Sequence, residues 1–295
     1  MENTIITNNI TKQYKKFKAL DSVSIQVEAG TVYGVIGKNG AGKTTLLKII
    51  SGLIKATSGD INIQYDKINS IGTLIEEPGL CYDMTGFENL KLKSLAFGLS
   101  DDVQLHNILN LVGLSGSKRV KVKNFSLGMK QRLGIGLALV GNPQILILDE
   151  PINGLDPQGI VEVRKLILKL KNEFNKTIMV SSHILDELFK IGDKYAIINN
   201  GKIVLEATKE ELQKRMERCI EVETDQVEDV IELLNQLKLN DYDIHTNQVV
   251  IRDKTLEVRA LNKMLAEKCI PIDGIKYGEV SYENLFLELI GEKYA

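Results

Sequence analysis

The run Gly37-Lys38-Asn39-Gly40-Ala41-Gly42-Lys43-Thr44-Thr45 constrains this chain more than any other segment. A glycine, four residues and then Gly-Lys-Thr describes a backbone that wraps closely around phosphate groups. Its flanks fit that reading. Thr31–Ile36 ahead of it reads as a buried strand, and the spacing of Leu46, Leu47 and Ile50 behind it predicts a helix over Thr44–Ile50, ending near Gly52. Phosphate charge would then sit at the positive end of the helix. Lys43 would bring a point charge to the outer phosphates, and the Thr44 hydroxyl would complete a magnesium shell.

A second segment, Ile145-Leu146-Ile147-Leu148-Asp149-Glu150, has four apolar residues followed by two carboxylates. The apolar run is that of a strand covered on both faces, as in the centre of a parallel sheet. Two carboxylates at its end are costly unless they serve a site beyond the strand's C-terminal edge, where α/β proteins bind ligands. Asp149 suits a magnesium–water ligand and Glu150 can polarise an attacking water. Together they point to hydrolysis of a bound triphosphate as well as binding.

Composition narrows the remaining classes. No stretch of the 295 residues approaches the roughly 20 apolar positions of a membrane span, and the start of the chain lacks the pattern of a signal peptide. The three cysteines, Cys81, Cys219 and Cys269, are far apart without metal-like spacing, as expected of free thiols in a reducing cytosol. The net charge of −2 hides an asymmetry: residues 1–216 carry 28 Lys/Arg against 22 Asp/Glu, and residues 217–295 carry nine against 17. That change of sign places an expected domain boundary at 216/217. A diffuse positive excess followed by an acidic tail argues against nucleic-acid binding.

Between the two phosphate-site segments lies Phe125-Ser126-Leu127-Gly128-Met129-Lys130-Gln131-Arg132, followed by an apolar helical run to Val140. With these pieces in register, residues 1–215 resemble the ATP-binding cassette of ABC transporters. The resemblance implies an α/β fold with a helical subdomain at about 79–140, binding ATP with Mg2+. It makes Ser126 and Gly128 the signature residues that reach a partner's γ-phosphate across a head-to-tail dimer. Tyr14, 29 residues before Lys43, matches the aromatic residue that stacks on adenine; a core tyrosine is the alternative. Asn153–Pro157 resembles the loop through which two cassettes communicate, and locally Asp156 reads as an N-cap with Pro157 at the first helical position. His183, after the buried strand Thr177–Ser182, matches the switch histidine that contacts the γ-phosphate.

The departures are informative too. Glu76, in Ile71-Gly-Thr-Leu-Ile-Glu-Glu-Pro78, stands where the family has the glutamine of its glutamine loop, and Leu127 and Met129 replace common signature residues. A carboxylate at 76 can still hold magnesium or its water. The phrase from Glu76 to Leu90 resembles the branch of cassettes that serves bacterial resistance or self-immunity to peptide antibiotics, including bacitracin and lantibiotics. That resemblance implies a cytoplasmic ATPase, peripheral on the inner face of the membrane, which works with a separate polytopic membrane subunit. A soluble, non-transport cassette acting as an ATP-gated interaction module is the alternative, as is a cassette that dimerises but barely hydrolyses.

Beyond a short connecting helix opened by Thr208-Lys-Glu-Glu211, the C-terminal segment alternates in the order β-α-β-β-α-β, with one further helix. Strands are expected at 220–224, 242–246, 248–252 and 270–277, and a terminal helix at 281–290. That order is the one of a small α+β, ferredoxin-like domain.

Overall fold

A computed structural model describes residues 3–64, 70–215, 219–253, 256–278 and 282–291. The chain divides into two compact units, Met1–Lys209 and Glu210–Ala295. The division falls where the last strand of the first unit ends, ahead of the connecting helix; the charge-based boundary lies at 216–218, outside the described residues.

In the first unit β1 (Asn3–Tyr14) and β2 (Phe17–Glu28) form a hairpin, and β3 (Val32–Ile36) runs through the phosphate loop into α1 (Lys43–Ile50). Next come β4 (Ser58–Ile63), β5 (Ile71–Leu74) and the helices α2 (Gly86–Ala96), α3 (Asp102–Leu111) and α4 (Leu127–Ala138). The unit closes with β6 (Ile145–Asp149), α5 (Pro157–Phe174), β7 (Thr177–Ser182), α6 (Leu185–Phe189), β8 (Lys194–Asn199) and β9 (Lys202–Thr208).

Six strands pair in the order β5-β6-β7-β3-β8-β9; the first five are parallel and β9 returns antiparallel from β8. Every position of β3, β6 and β7 is buried, which explains the apolar runs Ile145–Leu148 and Ile178–Val180 within them. A separate antiparallel sheet, ordered β2-β1-β4, shares one apolar core with α1 and the parallel strands through Ile5, Ile10, Val23, Ile25 and Leu46. One polar link is built into the sheet region: the fully buried Tyr33 donates its hydroxyl hydrogen to Glu206 at 2.7 Å, and Lys194 pairs with the same carboxylate at 3.0 Å. Burial, reinforced by the Glu206 charge, pushes the Tyr33 phenol well above its ordinary pKa.

The helical segment is tied down locally. Thr85 caps α2 in a reciprocal capping box with Glu88, whose carboxyl is held below the usual range chiefly by the Thr85 N–H. At Gly72 of β5 a Cβ would lie 2.0 Å from the Ala138 carbonyl oxygen, so α4 packs backbone-close against the edge strand. Asp156 caps α5 through the Gly159 N–H at 2.9 Å with Pro157 in the first turn, as its sequence predicts.

The second unit holds α7 (Lys209–Arg215), β10 (Cys219–Glu223), α8 (Val227–Gln236), β11 (Tyr242–His245), β12 (Gln248–Ile251), α9 (Val258–Glu267), β13 (Gly274–Gly278) and α10 (Tyr282–Leu289). Its sheet is ordered β11-β12-β10-β13 with every pairing antiparallel, the interleaving that a β-α-β-β-α-β order calls for. Ile220, Val222, Val249 and Ile251 on one face form a core with Val230, Leu234, Leu261 and Leu265 of α8 and α9. The last strand begins at Gly274, later than expected, because Pro271 has no N–H to donate to a ladder. Ser281, the expected start of the terminal helix, lies outside the described residues.

Candidate nucleotide site

The phosphate loop leaves the C-terminal end of β3 and enters α1 through Gly42, whose φ of 113° is open to glycine but strained for other residues. A Cβ on Gly37 would approach the Ile198 carbonyl to 2.5 Å, so the start of the loop lies directly on β8. The crown, Lys38, Asn39 and Gly40, is exposed, whereas Ala41 and Lys43 are buried and Thr44 and Thr45 are partly covered. The loop thus exposes its crown while burying its anchor.

Five groups, carried at the ends of three adjacent strands, converge here: Lys43, Thr44, Asp149, Glu150 and His183. Lys43 is 5% exposed; its ammonium donates to the Gly37 carbonyl at 2.7 Å and the Lys38 carbonyl at 3.3 Å. It also pairs with Glu150 Oε1 at 3.1 Å. The Thr44 hydroxyl donates to Asp149 Oδ2 at 2.7 Å. Glu150 Oε2 lies 2.8 Å from His183 Nδ1. A carboxylate only accepts hydrogen bonds, so that contact assigns the proton to Nδ1 and leaves Nε2 for a ligand. Glu150 takes a left-handed φ of 47°, which re-aims its carboxylate away from the line of β6. Its Oε1 is buried and has the Lys43 ion pair but no hydrogen bond, an acceptor facing the loop with capacity to spare.

These residues fit magnesium. Among the described residues no group of three or more His, Cys, Asp or Glu could hold a metal by itself. Magnesium bound with nucleotide needs no such cage, because it keeps waters and takes one or two protein oxygens beside the phosphates. The hydroxyl–carboxylate contact between Thr44 and Asp149, at the loop's inner end, is a donor set of that kind.

Glu76 stands apart from the other expected metal ligands. It lines a cleft of about 410 Å³ together with Asp149, Glu150, Gln131 and Lys130, but its carboxylate is paired with Lys48 of α1 at 2.6 Å. Neither partner of that pair is a residue the sequence patterns join; they meet only because α1 and the end of β5 lie side by side. Ser126 and Gly128 open α4, where the Ser126 hydroxyl accepts the Met129 N–H at 3.2 Å and so caps the helix. Tyr14 is 46% exposed at the tip of the β1–β2 hairpin with the Lys12 ammonium 5.0 Å from its ring centroid, which removes the core-tyrosine alternative.

Sequence reasoning passed over Ser181. Its hydroxyl bonds Asp149 Oδ1 at 2.5 Å and accepts the Glu150 N–H at 2.8 Å. The signal was present as two serines in a strand otherwise apolar, since a buried hydroxyl needs a partner.

Comparison with known proteins places the chain in a family. Residues 20–153 match the family described as ABC transporter. The chain is 38% identical to the bacitracin transport ATP-binding protein BcrA of Bacillus licheniformis, over 99% of this chain and 98% of that protein. It is 45% identical to the lantibiotic transport ATP-binding protein SrtF of Streptococcus pyogenes, over 67% of this chain and 88% of that protein. Among solved structures, an ATP-binding cassette of an ABC transporter in its ADP conformation aligns with a TM-score of 0.65 at 29% identity, covering 72% of this chain and 94% of its own. A dimeric cassette in a post-hydrolysis state, bound to ADP and Pi, aligns with a TM-score of 0.62 at 26% identity, covering 70% and 98%. The chain belongs to the ABC transporter family as one of its ATP-binding proteins, which are ATPases.

Proposed function

We propose that this chain is the cytoplasmic ATPase subunit of a bacterial ABC transporter, peripheral on the inner face of the membrane, serving export of or resistance to a peptide antibiotic. The observation that carries the chemistry is the placement of Glu150 between Lys43 and His183, beside the Thr44–Asp149 pair. Similarity to a bacitracin transport protein over nearly the whole length of both chains supports the antibiotic branch, accessory domain included. No helix among the described residues is long and apolar enough to cross a membrane, which supports a separate polytopic membrane subunit as the path for transport.

In this reading Lys43 turns from Glu150 and its two carbonyls to the outer phosphates, which frees Glu150 Oε1 to accept a proton from the attacking water. His183 holds Oε2 and presents Nε2 toward the γ-phosphate. Thr44 and Asp149 would hold magnesium, with Glu76 as a further oxygen donor, and the ion would neutralise charge on the phosphate oxygens. Tyr14 offers an exposed ring for adenine. Ser126 and Gly128, at the positive end of α4, would face the γ-phosphate of a second copy in a head-to-tail dimer. ATP joins the two faces and hydrolysis releases them, and the membrane subunit converts that cycle into alternating access.

The test is Glu150→Gln. It keeps the shape of the side chain but removes the base, so turnover should fall about 10²- to 10⁴-fold while ATP affinity is retained and an ATP-held dimer accumulates. Wild-type turnover in that variant would remove Glu150 from the chemistry. A resistance assay in cells lacking the native gene, together with co-purification of the chain from membranes, separates transport from a soluble role.

A further inference from the structure

We propose that Ser181 is a positioning residue which fixes the Asp149 carboxylate and the Glu150 peptide to one another, so that the metal-side and water-side groups are set by one hydroxyl. The proposal rests on the roles given above to Asp149 and Glu150. Ser181 lies directly opposite Asp149 in the parallel pairing of β6 with β7 and is fully buried. Glu150 N–H donates to its oxygen at 2.8 Å, and the oxygen lies 2.5 Å from Asp149 Oδ1. A hydroxyl has one hydrogen, and a peptide N–H cannot accept. The Ser181 hydrogen must therefore point at Asp149, and the direction of the chain N–H to Oγ–H to carboxylate is fixed.

The second carboxylate oxygen, Oδ2, receives the Thr44 hydroxyl at 2.7 Å. Hydroxyls at both oxygens pin the plane of the Asp149 carboxylate as well as its position. At the other end, the bond from the Glu150 N–H holds the peptide on which that residue turns to its left-handed φ of 47°. Without the bond, the carboxylate that meets Lys43 and His183 loses the fixed point from which it is aimed. Ile178, Met179 and Val180 show that an apolar residue suits this strand, and a buried serine there earns its place only through its partners.

Ser181→Ala in the full-length chain tests this, since it removes one oxygen without adding bulk. Residues that orient a metal-side ligand are worth about 10- to 100-fold in metal affinity or activity. We expect kcat to fall at least about tenfold with little change in KM for ATP, and the magnesium needed for half-maximal binding of a fluorescent ATP analogue to rise by about tenfold or more. In a Glu150→Gln background the same change should still raise the magnesium demand but reduce turnover no further. Unchanged kcat and unchanged magnesium demand, whatever the melting temperature does, would overturn the proposal. So would a change in only one of the two, because the bridge joins the Asp149 carboxylate to the Glu150 peptide. Glu150→Gln alone tests the catalytic reading, so failure of that reading is seen separately from failure of the bridge.

Discussion

Lys48→Met is the most discriminating perturbation of the Glu76 site, because the change keeps the apolar stem and removes the charge that holds the carboxylate. Lys48 Nζ and Glu76 Oε1 are 2.6 Å apart, with side chains 26% and 65% exposed. At that exposure water screens the pair, and its net worth is about 0.2–1 kcal/mol, at most roughly a fivefold change in an equilibrium. If Glu76 serves magnesium, it must leave Lys48 to do so, and the pair opposes metal binding by that amount. Lys48→Met should then lower the magnesium needed for half-maximal ATPase activity by about two- to fivefold. Glu76→Gln, with a neutral carbonyl in place of the charge, should raise it, and adding Lys48→Met to Glu76→Gln should have no further effect. The coupling read from that double-mutant cycle should be about 0.3–1 kcal/mol and should shrink in high salt. An equal shift from Lys48→Met in both backgrounds would refute the reasoning, because the lysine would then act on magnesium without Glu76.

Three further outcomes are expected. Ser126→Asp keeps a strong N-cap for α4 but sets a negative charge where a partner's phosphate would lie, so melting should be unchanged while ATP-driven dimerisation on a sizing column is lost. Gly72→Ala forces a Cβ to within 2.0 Å of the Ala138 carbonyl and should cost about 1–3 kcal/mol in urea unfolding, since the obstacle is backbone. Tyr33→Phe strips a buried hydrogen bond to the Glu206 carboxylate and should cost about 1.5–3 kcal/mol in the same assay, with ATP affinity unaltered.

What could be read from the sequence was what is local in the chain. The phosphate loop, the carboxylate-ended strand and the Asp156-Pro157 helix start each carry their structural reason within ten residues, and each is where it was expected. The β2-β1-β4 sheet was not read, because the β1–β4 pairing joins distant segments and the register of the β1–β2 hairpin shifts repeatedly, which blurs the alternation a strand would show. The same limit hid the two contacts that most refine the site. Lys48 and Glu76 are 28 residues apart, and Ser181 and Asp149 are 32 apart. Neither pair has a spacing rule: strand pairing brings Ser181 to Asp149, and the packing of α1 brings Lys48 to Glu76.

That sheet order also bears on how the site communicates. In β5-β6-β7-β3, four neighbouring parallel strands point their C-terminal ends at one place, delivering Glu76, the Asp149–Glu150 pair, His183 and the phosphate loop in turn. The inner three are laddered on both sides, so the groups proposed for chemistry stand on the least deformable part of the sheet. The strand that leads to Glu76 and onward to α2, α3 and α4 is the edge, bonded to β6 alone. A displacement at Glu76 therefore has a route into the helical segment that breaks no ladder in the centre. Lys48 ties Glu76 back to the phosphate-loop helix through an ion pair. A glutamine at that position would lack the ionic tie; if Glu76 serves magnesium as proposed, the carboxylate would make the link between nucleotide and helical segment sensitive to charge, and the magnesium titration is the measurement that tests it.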